Sequence, residues 1–327
     1  MRIAVTGSIA TDHLMTFPGR FTDQFLADRL DRVSLSFLAD RLEIRRGGVA
    51  ANISFGLGML GLRPVLVGAV GSDFEPYRVR LKQHGVDTDS VRISAELHTA
   101  RFLCTTDRMQ NQIATFYAGA MTEAKEIDLC AVIRRVGRLG LVMISPDDPE
   151  AMVRHTRACR KHGIAFAADP AQQLAGLGRE ETLELVTGAR WLFTNEYEAA
   201  LLQERTRLTG EQILGRVGCW VTTLGAQGVR IEREGQPPLT VPAVDVAGVV
   251  DPTGAGDGFR AGFLAGLAWG VPELHAAQLG CAVAATVLDY VGTQEYRLYR
   301  DSLVCRLRTS YGPESVAHLV AHFRDLT

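Results

Sequence analysis

Hydrophobic residues follow two alternating patterns along this chain. From about residue 50 onward, short runs rich in Val, Ile and Leu are separated by longer stretches with helical spacing of apolar positions. This alternation is typical of βα units packed around a parallel sheet. In such sheets, ligands bind beyond the carboxyl ends of the strands. Most of these apolar runs end in Gly, Asp, Asn or Thr. We predict internal strands at residues 63–70, 139–145, 164–169, 191–194 and 220–223.

Two segments, residues 13–46 and 98–118, depart from this rhythm. In the second, HTARFLCTTD and QIATFY alternate with the period of two that is typical of strands. Asp12 and the glycines at 47 and 48 join the first segment to the main body. We therefore predict a small β-rich lid that folds over a pocket at the strand ends. An ordinary surface extension of β-structure is the alternative.

Composition restricts the class of protein without naming a function. The 327 residues are 46% hydrophobic and 22% charged, which favours one α/β domain over residues 1–327. The net charge of -2, with scattered Arg and Lys, argues against nucleic-acid binding. The six cysteines show no zinc-site spacing. Apolar runs stay below the roughly 18 residues of a membrane span, so we expect a cytoplasmic protein without a membrane partner.

The segment DPTGAGDGFRAGF at residues 251–263 carries the strongest chemical signal. Its Gly-Ala-Gly turn precedes a helical apolar pattern, and bare amides at a helix N-terminus favour an anion. We predict an anion hole at Gly254, Ala255 and Gly256. Asp257 follows directly and could accept a proton from a substrate hydroxyl during phosphoryl transfer. The alternative is that Asp257 only caps the helix.

A second signal is RRGGVAANISFGLGMLG, in which paired glycines precede another helical pattern. Glycine lets the backbone approach a ligand closely, and Gly48 is our candidate for that role. Asn52 could offer a donor and an acceptor to sugar hydroxyls. Glycine turns before helices are common, so this signal alone is weak.

GGVAAN and, about two hundred residues later, DPTGAGD together resemble the signature regions of the ribokinase-like (PfkB-type) carbohydrate and purine kinases. The segments SIATDHLM, SLSFL, TARF, FYAGAM, DPAQQLA and GTQE are most similar to adenosine kinases of actinobacterial type. The resemblance implies an α/β ribokinase-like fold, with a central mostly parallel sheet flanked by helices and a small β-rich lid. It also implies ATP-dependent phosphorylation of the 5′-hydroxyl of adenosine, with magnesium, and Asp257 as the general base.

The resemblance assigns further roles on the acceptor side. Asp12 is similar to the acidic residue that binds ribose hydroxyls in this family, and Ser8, Gly48 and Asn52 complete the polar contacts. Ser36, in the lid, is a further substrate contact. Without the family, Asp12 could be a hinge residue and Ser8 a hydroxyl that caps local backbone.

On the nucleotide side, TNEYE at residues 194–198 is similar to the family's N-x-x-E element, with Asn195 near the phosphates and Glu198 acting on magnesium through a water. A helix-capping pattern has the same letters. TTLGAQG resembles the family's nucleotide loop, which assigns ATP contacts to Thr223, Gly225 and Gly228. Asp251 and Thr253 match positions at which many members of the family bind a potassium-type ion.

The choice of acceptor depends on the lid. Phe102 and Phe116 lie in predicted lid strands and could sandwich a purine ring, or could merely fill the lid core. Gln172 and Gln173 could form hydrogen bonds with the polar edge of a ligand, or they could lie in a solvated turn. A ribokinase or another sugar kinase is the alternative within enzymes, and a catalytically silent nucleoside-binding module is a remoter one. Apolar lid residues such as Leu14 and Phe37 predict a homodimer through the lid.

Overall fold

The computed structural model describes residues 1–25, 34–323 and 326. Its strands are β1 (Ile3–Thr6), β2 (Ala10–Thr16), β3 (Arg41–Gly47), β4 (Val65–Val67), β5 (Ala69–Val70), β6 (Arg92–Ile93), β7 (Ala100–Thr106), β8 (Gln112–Tyr117), β9 (Leu141–Ile144), β10 (Phe166–Ala168), β11 (Trp191–Asn195), β12 (Trp220–Thr223), β13 (Val229–Glu232) and β14 (Leu239–Val241). Its α-helices are α1 (Val49–Met59), α2 (Glu75–Gln83), α3 (Leu129–Val136), α4 (Pro149–Lys161), α5 (Arg179–Val186), α6 (Glu196–Thr206), α7 (Gly210–Leu214), α8 (Ala255–Trp269), α9 (Glu273–Val287), α10 (Arg300–Tyr311) and α11 (Pro313–Leu319).

The central sheet runs in the order β14-β13-β12-β11-β10-β9-β1-β4. From β4 to β12 neighbouring strands are parallel, and β13 and β14 continue the sheet in antiparallel fashion. The five internal strands predicted from hydrophobic runs are all formed, although the run at 63–70 divides into β4 and β5 around Gly68. The carboxyl ends of the parallel strands therefore lie along one edge, where a ligand site is expected.

Each face of the central sheet is covered by its own hydrophobic core. Alternation along β1 shows this directly, because Ile3 and Val5 belong to one core and Ala4 to the other. The first core includes buried residues of α1, α8 and α9, and the second includes those of α4 to α6. This three-layer arrangement is the α/β architecture predicted from the sequence. Within the described ranges, none of the helices has the length and apolar character to cross a membrane.

A small sheet, β3-β2-β7-β8, stands apart from the central one and is built from the two segments that break the βα rhythm. Asp12 pairs with Arg45 on one side and Phe102 on the other, and Phe102 pairs with Phe116. Paired residues share a face of a sheet, so these four side chains form one row. The predicted lid segment 13–46 includes residues 26–33, which lie outside the described residues.

Candidate active site

The loop before α8 is held by hydrogen bonds to Asp251. Its Oδ1 accepts from the amide of Thr253 and its Oδ2 from the amide of Gly292, both at 2.9 Å. Burial alone would raise the pKa of Asp251, but these bonds hold it below its usual range. Gly254 then turns the chain with φ of 82°, where a Cβ would lie 3.0 Å from the side chain of Thr293. Only glycine fits this turn without strain.

The first turn of α8 leaves backbone donors available. Among the described residues, the amides of Gly254, Gly256 and Asp257 have no hydrogen-bond acceptor, whereas Ala255 donates to the carbonyl of Pro252 at 3.3 Å. Donors at a helix N-terminus, together with the helix dipole, favour an anion. The predicted anion hole thus differs in detail, because the amide of Ala255 is partly engaged and that of Asp257 is available.

The carboxylate of Asp257 is oriented by a chain of buried amides. Asn52 donates from Nδ2 to Oδ2 of Asp257 at 2.8 Å. The Oδ1 of Asn52 accepts from Nε2 of Gln294 at 2.8 Å. The Oγ1 of Thr293 lies 2.9 Å both from this oxygen and from the carbonyl of Arg46, and its single proton can be donated to either. Because both neighbours of Oδ1 are donor groups, the amide of Asn52 turns its nitrogen towards Asp257. Asn52 therefore retains one N–H for a substrate hydroxyl rather than the donor and acceptor expected from the sequence.

The surroundings of Asp257 oppose its ionisation without preventing it. Burial, with a smaller contribution from the nearby Glu198, raises the pKa of its carboxyl from 3.8 to about 6. The Arg260 guanidinium and the hydrogen bond from Asn52 act in the opposite direction. A carboxyl of this pKa is mainly ionised at neutral pH yet more basic than an exposed aspartate, as a general base requires.

Two clefts meet at Asp257. The first cleft, of 510 Å³, is lined by Ser8, Asp12, Gly48, Val49, Asn52, Phe102, Phe116, Gln172, Gln173, Thr253, Gly254 and Asp257, among others. The second cleft, of 570 Å³, is lined by Val49, Asp169, Gln172, Asn195, Glu198, Thr223, Gly225, Gly256, Asp257 and Arg260, among others. Most residues predicted to bind the acceptor thus line the first cleft, and most of those predicted to bind the nucleotide line the second. Gln172 lines both clefts, as does the predicted base, Asp257.

Polar groups that line the first cleft are brought close together by the paired glycines. Gly48 has φ of 93°, and a Cβ there would lie 2.6 Å from the carbonyl oxygen of Ser8. The Oγ of Ser8 accepts from the amide of Val49 at 3.0 Å, so this hydroxyl also supports the start of α1. Burial raises the pKa of Asp12 to about 6, against the attraction of Arg45. Asp12 therefore offers a partly desolvated acceptor to the cleft.

An aromatic wall and an amide also line the first cleft. Phe102 and Phe116 are directly opposite each other in β7 and β8, and Phe116 is 52% exposed. Opposed residues have Cβ atoms about 4.5–5.5 Å apart, so the register makes the rings neighbours on one wall rather than facing walls. Gln173 donates from Nε2 to the carbonyl of Asp147 at 2.7 Å. Its Oε1 remains available as an acceptor.

Asn195 and Glu198 of the TNEYE segment line the second cleft and also cap α6. Asn195 and Glu198 form a reciprocal capping box: the Asn195 amide donates to Oε2 of Glu198 at 2.7 Å, and the Glu198 amide donates to Oδ1 of Asn195 at 2.8 Å. The capping alternative is therefore formed, while Glu198 still lines the cleft. Thr223 and Gly225 lie on the same cleft, and Gly225 has φ of 56° with open space around it.

Two predicted site residues lie elsewhere in this structure. A Cβ at Gly228 would be 2.1 Å from the carbonyl oxygen of Val241, so this glycine permits close packing of β13 against β14. Neither cleft includes Gly228 among its lining residues. Ser36 is exposed and likewise lies outside the lining of both clefts. Their assignment to ATP and substrate remains a prediction.

Sequence reasoning missed four residues that complete the site. Thr293 and Gln294 orient Asn52, and Asp169 pairs with Arg260 beside the second cleft. One signal was present in the sequence: Arg260 interrupts a helix of small and apolar residues, GDGFRAGFLAG, where a charge has to find a partner.

Comparison with known proteins identifies the family. Residues 6–298 match the pfkB family of carbohydrate kinases. The chain belongs to this family. A nucleoside kinase of Methanothermobacter thermautotrophicus is 31% identical to this kinase over 271 residues, which are 82% of this chain and 86% of the relative.

Solved structures support the same conclusion. The Burkholderia thailandensis nucleoside kinase in complex with inosine has a TM-score of 0.82 and 31% identity, covering 95% of this chain and 98% of that one. The Methanocaldococcus jannaschii nucleoside kinase, described as a member of the ribokinase family, has a TM-score of 0.82 and 27% identity over 94% of this chain and 98% of that one. The predicted family and ribokinase-like fold of this kinase are confirmed, and its specific similarity to adenosine kinases remains a prediction.

Proposed function

We propose that this kinase transfers the γ-phosphoryl group of ATP to the 5′-hydroxyl of adenosine, giving AMP and ADP. The observation that carries the proposal is the position of Asp257, which lines both clefts at their junction. A transfer between two bound molecules requires their reacting groups to meet beside one proton acceptor. The first cleft holds the nucleoside and the second holds the phosphates of ATP.

In the proposed reaction, the carboxylate of Asp257 accepts the proton of the 5′-hydroxyl as its oxygen attacks the γ-phosphorus. The bond between the γ-phosphorus and the bridging oxygen breaks, and ADP leaves. The amides of Gly256 and Asp257 donate to the phosphoryl oxygens, where negative charge is spread during transfer. The hydrogen bond from Asn52 keeps the carboxylate turned towards the hydroxyl.

Magnesium fits this site as a partner of the nucleotide. Within the described part of the chain, no group of three or more His, Cys, Asp or Glu side chains is arranged to hold a metal ion. Magnesium commonly binds through one or two carboxylates, waters and substrate phosphates, and its charge then offsets that of the phosphates. Glu198 has Oε2 in the capping box, and its Oε1 remains to hold a magnesium-bound water. We also propose that Asp251 and Thr253 bind a potassium-type ion.

On the acceptor side, we assign the ribose hydroxyls to Asp12, Ser8, Gly48 and the remaining N–H of Asn52. The first cleft offers groups for both parts of a nucleoside, because its lining includes the carboxylates of Asp12 and Asp257 and the Phe102–Phe116 wall. A base stacked on aromatic rings gains about 1–3 kcal/mol. The apolar wall supports a nucleoside over a free sugar, which has no flat ring to cover it.

Gln173 offers a hydrogen-bonding group to the edge of the base. Its Nε2 uses one N–H on the carbonyl of Asp147, which leaves Oε1 as an acceptor and the second N–H as a donor. The Oε1 can accept from the 6-amino group of adenine, and the second N–H could donate to a 6-oxo group. The B. thailandensis nucleoside kinase, by comparison, binds inosine.

We further propose that the small sheet, together with residues 13–46 and 98–118, acts as the lid, and that it carries a homodimer interface. The face opposite the Asp12–Phe102 row exposes Leu42, Ile44, Ile113 and Tyr117, each 39% to 61% accessible. Exposed apolar side chains on the outer strands β3 and β8 are the basis of this proposal. Sedimentation at micromolar concentration tests this: a single species at the 35.6 kDa of one chain would contradict it.

The experiment for the activity is ATP-to-ADP turnover by purified protein with magnesium, in parallel with adenosine, inosine, guanosine, ribose and fructose. We expect turnover with adenosine, with the highest kcat/KM among the acceptors tested. The Asp257→Asn variant serves as the inactive control. Turnover with ribose or fructose alone would instead indicate a sugar kinase and would assign the Phe102–Phe116 wall to packing. ADP formation in none of the mixtures would reject the proposed function.

A further inference from the structure

The second cleft contains a buried ion pair that the reaction described above does not use. Arg260 is 7% exposed and Asp169 is fully buried. The guanidinium Nη2 donates to Oδ1 of Asp169 at 2.7 Å, and Nε lies 2.7 Å from Oδ2. The guanidinium also lies 5.7 Å from the centre of the Phe193 ring. Two contacts with Asp169 and one with an aromatic ring fix the plane of the guanidinium.

A buried ion pair of this kind is poor evidence for a stabilising role, because desolvation of both charges can outweigh their attraction. Two aliphatic side chains would fill the same space without the desolvation free energy of two buried charges. Retention of the charges beside a cleft therefore points to a use for them. The position of the remaining guanidinium nitrogen, Nη1, suggests that use.

The third nitrogen, Nη1, faces the anion site of α8. Among the described residues it has no hydrogen-bond acceptor, and a Cβ built on Gly256 would lie 2.9 Å from it. Arg260 itself lines the second cleft together with Asn195, Glu198 and Thr223. The nitrogen left over from the Asp169 pair is thus next to the amide predicted to bind the transferring group.

Arg260 offsets negative charge around the proposed phosphate site. The charges of Asp169, Asp257 and Glu198 all act on Arg260, so this guanidinium is the one cation among three carboxylates, and an incoming phosphoryl group would depend on it for attraction. Asp169 takes the Nε and Nη2 side of the guanidinium, while Nη1 is turned to the cleft. An arginine that presents a fixed donor to phosphoryl oxygens stabilises charge as it develops.

We propose that Arg260 is a catalytic residue, with Nη1 donating to an oxygen of the transferring phosphoryl group and Asp169 holding the guanidinium in place. The inference rests on the proposed phosphoryl transfer. Arg260 keeps its proton throughout, because the hydroxyl proton goes to Asp257 and the electrons of the broken bond leave with ADP. The contribution of Arg260 is electrostatic, and it is largest when the phosphoryl group lies between the two oxygens.

The first test removes the pair without leaving a lone buried charge. In the double variant Asp169→Asn/Arg260→Met we expect kcat to fall by about 10²–10³-fold, the loss typical of one oriented donor to a developing oxyanion. The KM for adenosine should change by less than about threefold. The control is Arg233→Met/Glu273→Gln, which removes an ion pair that is less buried, lies outside both clefts and should leave kcat unchanged. A double variant within threefold of wild-type kcat would overturn the proposal.

The second test separates a catalytic role from a structural one. Guanidinium at low millimolar concentration should raise the kcat of Arg260→Ala at least tenfold and leave the control unaffected. Loss of kcat without this rescue, together with weakened ADP binding, would show that Arg260 only maintains the fold of the cleft and would reject the proposal.

A binding measurement keeps the inference testable if the acceptor is misassigned. ADP with aluminium fluoride mimics a transferring phosphoryl group, and we expect the double variant to bind it at least 100-fold more weakly than wild type while binding ADP alone normally. Absence of turnover with every acceptor, combined with this selective loss, would reject the proposed substrate and retain Arg260. Equal affinity of wild type and double variant for the mimic would reject the role of Arg260 alone.

Discussion

Asp257 should lower the stability of the folded kinase at neutral pH, and its replacement by Asn should raise it. The folded environment raises the pKa of this carboxyl from 3.8 to about 6. A folded-state pKa above the unfolded value means that protons bind the folded form more tightly. Asp257 therefore opposes folding increasingly as pH rises from about 4 to about 6. Above that range the cost is constant.

The size of the effect follows from the shift. At about 1.36 kcal/mol per pKa unit, a rise from 3.8 to about 6 corresponds to an upper limit of about 3 kcal/mol. The Asn in Asp257→Asn is neutral at every pH and its carbonyl can still accept from Asn52. Relative to wild type we expect no stabilisation near pH 3.5 and up to about 3 kcal/mol near pH 8, with no activity at any pH.

The assay is thermal unfolding of wild type and Asp257→Asn in the same buffers between pH 4 and pH 8. Because a chain of this size need not unfold in two states, the difference in Tm between the variants is the quantity to compare. That difference should grow through pH 5 and level off above pH 6.5. An Asn variant that is equally or less stable than wild type at pH 8 would refute the raised pKa, and with it the desolvated base.

Three further predictions concern the site. Because Asp257 and Asp12 both have pKa values near 6, log kcat/KM for adenosine should fall steeply below pH 6, and Asp12→Asn should reduce the slope of that fall. Asn52→Leu removes a donor to a carboxylate, so the acidic limb of kcat should move up by roughly one pH unit, and an unmoved limb would contradict the orienting role. Phe116→Ala should weaken adenosine binding by about 10-fold or more while residual turnover of ribose is unchanged, and equal losses on both acceptors would argue against stacking.

Much of this site could be predicted because its decisive features are local. A glycine turn followed by a helix is readable from consecutive residues, and the Gly254–Asp257 segment adopts the conformation that its composition favours. The same holds for the period-two pattern of β7 and β8. In both places the properties of neighbouring residues determine the backbone conformation.

The remaining features depend on contacts between distant parts of the chain. The hydrogen bond between Asn52 and Asp257 joins residues 205 positions apart, and that between Thr293 and Asn52 joins residues 241 positions apart. No local pattern reveals which amide will meet which carboxylate. The sequence suggested Asn52 as a free ligand for sugar, whereas two donor groups at its oxygen turn it into a support for Asp257. The fold adds this constraint, since it brings α1 and α8 together at the end of the sheet.

The energetics of the two carboxylates in the first cleft connect stability with function. Burial raises the pKa of both Asp12 and Asp257 to about 6, so each is ionised at neutral pH at a cost to the folded state. That cost arises because protein replaces water around the carboxylates while only some of their acceptor sites are filled. A ligand with hydroxyl groups would supply the missing donors, and its binding energy would stabilise the folded form by linkage. The desolvated carboxylates that lower the stability of the ligand-free protein would therefore also favour the binding of an acceptor with several hydroxyl groups.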